Sequence, residues 1–184
     1  DELVYLLNNA DAEAVVFHSK YAGRIEAIKD RLEKTKVFIQ VSDDSGNALV
    51  FGSHDYESVI MGSEPMKRIN RKAEDLYMLY TGGTTGMPKG VMYSNGEHCS
   101  SLCGIGAMLG TPVPQSITDL SDCVSQTRDI GLSPRGLVCC PLMHGTGIWV
   151  GAMITHLAGG AVITVKKLGL DADLLLRQIE NERA

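Results

Sequence analysis

The chain has 184 residues, 44% of them hydrophobic and 21% charged, proportions that suit a domain with one sizeable core and exclude a disordered segment. A net charge of −5 and an isoelectric point near 5.5 exclude long-range electrostatic capture of nucleic acid or of an anionic membrane, so a phosphate-bearing ligand has to be held by local geometry. Five cysteines, Cys99, Cys103, Cys123, Cys139 and Cys140, are odd in number and lack CxxC spacing, which predicts reduced thiols in a cytoplasmic protein rather than disulfides or a zinc site.

Leu3, Leu6, Leu7 and Ala10 fall at helical spacing, with Asn8 and Asn9 as a stop. Ala14, Val15, Val16 and Phe17 predict a short strand, and Tyr21, Ile25, Ile28 and Leu32 line one face of the helix after it. Val37, Phe38, Ile39 and Val41 predict a second strand, ended by the turn residues Asp43, Asp44, Ser45 and Gly46. Alternating helices and strands predict the fold class: α/β, a doubly wound, mostly parallel sheet with helices on both faces. A short helix is expected over 55–61. The polar span 62–74 carries Lys67, Arg68, Arg71 and Lys72 with no interleaved aromatic, which fits a solvated connector and not a nucleic-acid patch.

Residues 76–90, LYMLYTGGTTGMPKG, dominate the chain. Leu76, Tyr77, Met78, Leu79 and Tyr80 form an apolar run with no polar alternation, which predicts a strand covered on both faces. The run breaks into Thr81, Gly82, Gly83, Thr84, Thr85 and Gly86, where glycines can take positive φ and turn backbone N–H groups toward one point, a concave donor set that binds anions. Threonine hydroxyls and the Lys89 ammonium add donors, and each hydrogen bond to a charged oxygen is worth roughly 1.5–3 kcal/mol, ample in sum for a triphosphate. Pro88 before Lys89 and Gly90 after it break the pattern of the nucleotide triphosphatase loop, and Gly82, Gly83 and Gly86 are spaced differently from GxGxxG.

YTGGTTGMPKG resembles the phosphate-binding signature of the adenylate-forming (acyl-CoA synthetase, AMP-binding) superfamily, which includes acyl-CoA synthetases, luciferases and peptide-synthetase adenylation domains. Serine usually stands where this chain has Gly82, so Gly82 is assigned through its backbone only, and the double-glycine variant is similar to bacterial fatty-acid and steroid-side-chain CoA ligases. The opening DELVYLLNNADAEAVV, the PLMHGTG of residues 141–147 and the LAGGAVITV of residues 157–165 also have counterparts there. The resemblance implies that residues 1–184 are part of an N-terminal AMP-binding domain. Binding of ATP phosphates then falls to Thr81, Gly82, Gly83, Thr84, Thr85, Gly86 and Lys89. The adenine and magnesium motifs, the C-terminal domain and the catalytic lysine lie beyond the chain, which starts at Asp1 without a methionine and stops at Ala184 inside a helical pattern. No catalytic residue and no metal ligand is therefore assigned here, and the excerpt alone is expected to be inactive.

After the loop, Ser94 or Asn95 is positioned to cap a helix running to Gly110, whose Gly104, Gly106 and Gly110 are read as packing contacts and not as a nucleotide fingerprint. Residues 111–135 are read as a long irregular span with a short helix near 119–128, placed to shape an acyl tunnel. No charge falls between Arg135 and Lys166, but Pro141, His144, His156 and the glycines argue against a membrane span. The span is parsed as a buried strand at 137–140, the loop PLMHGTG, a helix over 148–157 and a buried strand at 161–165. Ligands of such sheets bind beyond the carboxyl ends of strands, so the Thr81 and His144 loops are expected to face each other. The resemblance makes His144 the residue beside the carboxylate to be activated, with Gly145, Gly147 and Trp149 shaping the substrate pocket. Asp171, Leu174, Leu175 and Ile179 open a closing amphipathic helix.

The implied activity is ATP- and Mg2+-dependent conversion of a fatty or steroid-side-chain carboxylic acid to an acyl-adenylate, followed by thioester formation with coenzyme A. An adenylate-forming enzyme without CoA transfer shares the loop and stays open as an alternative, as does a nucleotide-binding module without ligase chemistry. Oligomeric state is left open, including a homo-oligomer.

Overall fold

The computed structural model describes residues 1–184 apart from 83–85, 109, 117, 133 and 168. The chain divides into two units, Asp1–Asn70 with Tyr80–Val91, and Arg71–Leu79 with Met92–Ala184.

In the first unit, helix α1 (Glu2–Asn9) leads into strand β1 (Ala14–His18), helix α2 (Ala22–Ile28), strand β2 (Val37–Val41), the short strand β3 (His54–Asp55) and helix α3 (Tyr56–Met61). β1 and β2 pair in parallel with Ala14 opposite Val37 and His18 opposite Val41, and β3 adds in parallel on the other edge of β2. The predicted α, β, α, β order and parallel pairing are thus present. β3 has only two residues, too few to leave a periodic signal. Phe17 of β1, Ala22, Ile25 and Ile28 of α2, Leu32 and Val50 form the core, with Val4 and Leu7 of α1 packed against it. The Ile25 and Ile28 spacing noted in the sequence is therefore the buried stripe of α2.

Two polar side chains, Ser19 and Gln40, are buried beside this core. Gln40 donates from Nε2 to the Ser19 hydroxyl at 2.9 Å and to the Ala48 carbonyl at 3.0 Å, and its Oε1 accepts from the Val50 N–H at 2.9 Å. These bonds hold the 48–50 segment on β2 and satisfy polar atoms that burial would otherwise leave unmet. At the end of β2, Asp43 accepts N–H bonds from Lys20 and Ser45, each 2.9 Å. These bonds, with the Ser45 hydroxyl the largest influence, lower its carboxyl pKa to about 2 from the ordinary 3.8.

Strands β4 (Leu76–Thr81) and β5 (Lys89–Ser94) are hydrogen-bonded neighbours in a two-stranded sheet. The expectation that β4 is covered on both faces does not hold: Leu76 and Met78 are exposed while Tyr77 and Leu79 are half-buried, because side chains alternate between the two faces and no described element buries the face of Leu76 and Met78. The second unit continues with α4 (Asn95–Met108), α5 (Leu120–Asp129), β6 (Arg135–Leu137), a π-helix (Thr146–Met153) that runs into α6 (Ile154–Leu157), β7 (Ala161–Ile163) and α7 (Ala172–Glu182).

β6 and β7 are parallel, Arg135 opposite Ala161 and Leu137 opposite Ile163, with the π-helix and α6 as the crossover. β7 is shorter than the expected 161–165, and β6 lies earlier than the expected buried strand at 137–140, sharing only Leu137 with it and leaving Cys139 and Cys140 exposed. After the Val138 N–H reaches the Ile163 carbonyl at 3.0 Å, the chain leaves the ladder. α4 packs on α6, with Leu102, Ala152, Ile154 and Ala158 buried. α7 is capped by Asp171, whose carboxylate accepts from the Leu174 N–H at 2.9 Å, and its far end is fastened to β6 by Arg135 Nη2 on Glu182 Oε2 at 2.7 Å. No described helix is long and apolar enough to cross a membrane.

Two predictions follow from the Gln40 and Asp43 geometry, both for denaturant unfolding of the natural-length protein. Gln40→Leu leaves the Val50 N–H and the Ala48 carbonyl without this partner and lowers unfolding free energy by about 1–3 kcal/mol. Asp43, whose folded pKa is depressed, contributes stability that is fully present above about pH 4 and is lost as pH falls from 3.8 toward about 2. Asp43→Asn therefore flattens the stability profile in that window and leaves its shape near pH 7 unchanged.

Candidate functional site

Of the residues assigned to phosphate, Thr81, Gly82, Gly86 and Lys89 are described, and Gly83, Thr84 and Thr85 lie outside the described residues. Thr81 closes β4 and Lys89 opens β5, so two neighbouring strand ends bracket the loop. Gly86 has φ +99°, a backbone conformation that L side chains rarely adopt, which is why glycine stands there. The space around Gly82 is open, with nothing within 4 Å of the Cβ position. Lys89 is exposed, and among the described residues no carboxylate pairs with its ammonium. A left-handed glycine, an open backbone, a hydroxyl and an unneutralised ammonium suit an anion.

The root of this loop is anchored within the first unit. The Tyr80 hydroxyl donates to Asn9 Oδ1 at 2.6 Å, at the last residue of α1. Desolvation, with Tyr5 and Asp11 adding to it, raises the Tyr80 pKa above its ordinary value, so the phenol remains a neutral donor.

The second unit brings together His144, Gly145, Gly147 and Trp149. Beyond β6 the chain turns at Pro141, whose carbonyl accepts from the His144 N–H at 3.0 Å, and the His144 carbonyl accepts from Ile148 N–H at 2.9 Å at the entry of the π-helix. His144 is exposed, and Gly147 is buried. A Cβ at Gly147 would overlap the Pro141 carbonyl and come within 2.9 Å of the Cys140 carbonyl oxygen, both of them backbone atoms that cannot swing aside. A Cβ at Gly145 would lie 2.7 Å from Cζ3 of Trp149, so the indole edge rests directly on the residue after His144. The glycines expected to shape a pocket therefore act by letting backbone and indole approach closely.

The sequence parse gave an ordinary helix here, but residues 146–153 form i→i+5 turns, a rare geometry that recurs at functional sites. Helix type is not encoded in an almost uniformly apolar run. Trp149 does not open outward. Its ring belongs to a cluster with Tyr77 of β4, Tyr93 of β5 and His98 of α4, at centroid distances of 6.1, 5.0 and 4.7 Å. His98 carries no assignment from the sequence, and nothing there connects it with Trp149. Tyr77, Tyr93, His98 and Trp149 sit on four elements, and no local spacing joins them.

Two cavities in the second unit adjoin this loop. One, of about 460 Å³, is lined by Cys139, Cys140, Pro141 and Met143 on the loop side and by Leu174 and Leu175 of α7. The Lys167 ammonium pairs with Asp171 along its edge. The other, of about 390 Å³, is strongly apolar, with Leu142, Ile148, Met153, Leu157 and Val162 among its walls. Among the described residues no group of three or more His, Cys, Asp or Glu side chains is arranged to hold a metal ion.

A strand that breaks into a glycine-rich loop, and a parallel β–helix–β unit with a histidine loop at its strand end, define an α/β domain. Over residues 1–184 the chain matches the AMP-binding enzyme family, and it belongs to that family. It is 34% identical over 186 residues to the medium-chain acyl-CoA ligase Mig of Mycobacterium avium, covering 99% of this chain and 32% of that protein. It is 31% identical to a 3-oxocholest-4-en-26-oate–CoA ligase of Rhodococcus rhodochrous, covering 89% of this chain and 29% of the relative. Its fold is similar to that of ATP-bound MatB from Rhodopseudomonas palustris, with a TM-score of 0.66 and 25% identity over 97% of this chain and 30% of MatB. The chain thus spans about a third of the length of the proteins it matches.

Gly147→Ala is expected to lower the melting temperature of the natural-length protein by several degrees, since the added methyl has no side-chain end to displace. Gly104→Ala, inside α4 with nothing within 4 Å of its Cβ position, serves as the control and raises stability by about 0.5–1 kcal/mol.

Proposed function

We propose that these 184 residues are part of the N-terminal AMP-binding domain of an acyl-CoA ligase. The protein would activate a fatty or steroid-side-chain carboxylic acid with ATP and pass the acyl group to coenzyme A. The observation that carries this is the anion loop, with Gly86 in its left-handed conformation and Lys89 exposed at the start of β5, in a chain that matches the AMP-binding family from end to end. The substrate class is supported by the medium-chain and 3-oxocholestenoate ligases among its relatives.

A carboxylate is a poor acyl donor because its leaving group would be oxide. One carboxylate oxygen attacks the α-phosphorus of ATP and the α–β bridging bond breaks, giving an acyl-adenylate and pyrophosphate. Thr81, Thr84 and Thr85 hydroxyls, the backbone N–H groups of Gly82, Gly83 and Gly86, and the Lys89 ammonium hold the β- and γ-phosphates and neutralise charge that grows on the leaving pyrophosphate. A magnesium ion bound to those phosphates would share that charge. His144, exposed on its turn with Gly145, Gly147 and Trp149 around it, orients the incoming carboxylate, and the apolar cavity beside Leu142 and Ile148 suits the acyl chain. The thiol of coenzyme A then displaces AMP. A cytoplasmic site of action accords with five free cysteines.

Pyrophosphate exchange on the natural-length protein tests this. Label is expected to enter ATP only when a medium-chain or steroid-side-chain acid is present, and exchange indifferent to carboxylic acids overturns the reading. Loss of one charge-assisted contact in Lys89→Ala is expected to reduce exchange about 10- to 150-fold, the equivalent of roughly 1.5–3 kcal/mol. Thr84→Ala is expected to act in the same direction.

A further inference from the structure

His98 is the most enclosed ionisable side chain of the second unit, 8% exposed, and its ring meets three aromatic neighbours. It stacks on Tyr77 with centroids 5.5 Å apart and planes 10° apart, lies 5.3 Å from Tyr93, and meets Trp149 edge-on at 4.7 Å. Tyr93 closes on Trp149 from another side at 5.0 Å, 75° between planes. Edge-to-face and offset-stacked rings at these distances are attractive and directional, so an indole in contact with Tyr77, Tyr93 and His98 has little freedom to turn. The far edge of that indole is where a Cβ on Gly145 would lie, 2.7 Å from Cζ3, and Gly145 follows His144 directly.

The cluster is not optimised for packing alone. His98 Nε2 and Trp149 Nε1 are both buried, and neither has a hydrogen-bond partner among the described residues. Unmet buried polar atoms are unfavourable, and an apolar ring of the same shape would avoid that penalty at position 98. What the two rings do provide is a rigid path. It begins at Tyr77 on β4, passes through His98 on α4 to Trp149 on the π-helix, and ends against the backbone of the histidine loop.

We propose that His98 is a positioning residue for the His144 loop: its ring holds the Trp149 indole against Gly145 and thereby sets the direction of the His144 imidazole. The proposal rests on the reading of His144 as the residue that orients the acid. It assigns no contact between His98 and substrate. Because the support is a ring edge and not a charge, an aromatic replacement keeps it and an aliphatic one loses it.

The test uses the natural-length protein with His98→Leu, His98→Phe and Trp149→Phe. Two readouts are taken: the NMR signal of the His144 ring, assigned by its disappearance in His144→Gln, and KM for the carboxylic acid and for ATP in pyrophosphate exchange. His98→Leu is expected to shift the His144 signal and raise KM for the acid about tenfold, equivalent to about 1.4 kcal/mol, while KM for ATP changes less than twofold. His98→Phe is expected to restore both and to match or exceed the wild-type melting temperature. Trp149→Phe, which shortens the ring that reaches Gly145, is expected to act like His98→Leu, and adding His98→Leu to it should cost little more, the non-additivity of residues on one path. Trp149→Phe serves alone if His98→Leu does not fold. An unmoved His144 signal in the folded variants overturns the proposal, as does a parallel rise of both KM values. If wild-type exchange ignores carboxylic acids, the ligase reading falls. A His144 signal that still moves in His98→Leu and returns in His98→Phe then upholds the positioning role.

Discussion

Everything around the histidine loop depends on one close approach, that of the Gly147 backbone to the carbonyls of Cys140 and Pro141. Leaving β6, the chain must reverse into the π-helix within a few residues, and it does so with the His144 N–H bonded to the Pro141 carbonyl. Only a residue without a Cβ lets the first helical turn settle on the strand end at that distance. Gly136 and Gly151 repeat the device farther along: a Cβ at 136 would meet the Gly151 carbonyl oxygen at 2.9 Å, and one at 151 would meet Val138 at 3.2 Å. The π-helix thus lies close on β6, with the Gly136 backbone under the Gly151 carbonyl and the Gly151 backbone against the Val138 side chain. The position of His144 is set by main-chain contact, which is stiffer than contact between flexible side chains.

The two assigned loops are built differently. The loop between β4 and β5 joins the ends of two paired strands, and its described residues include Gly82 in open space, a left-handed Gly86 and, at the start of β5, an exposed Lys89. The histidine loop is compressed by glycines and braced from behind by aromatic rings. That contrast fits their proposed tasks. Polyphosphate needs several donors converging on it, whereas an acid to be activated needs one group held at one angle.

Much of the fold was legible because its signals are local. Ile25, Ile28 and Leu32 at helical spacing are buried together, the β-branched run of residues 37–41 is a parallel strand, and Asp171 begins its helix as the acidic first turn implied. The place of the glycine-rich loop was legible for the same reason, as a dense, unusual composition at a strand end. Less visible were features decided by partners distant in sequence. Leu76 and Met78 are as apolar as a buried strand requires and yet are exposed, because coverage depends on what packs above them. The run 146–153 offers no polar residue at intervals that would separate a 3.6-residue period from a wider turn. His98 lies 51 residues before Trp149, and only the assembled second unit reveals that they touch.

The bond from Tyr80 to Asn9 joins residues 71 apart in sequence and fixes the stem of the anion loop to the end of α1. That helix is itself laced to Arg31 and Glu33: Asp1 pairs with the Arg31 guanidinium at 2.6 Å, while the Asn8 amide donates to the Arg31 carbonyl and accepts from the Glu33 N–H. Fraying of α1 is thereby mechanically continuous with loosening of the strand end from which that loop departs. A change within α1, remote in number from any assigned residue, acts on the same anchor as a change beside Thr81.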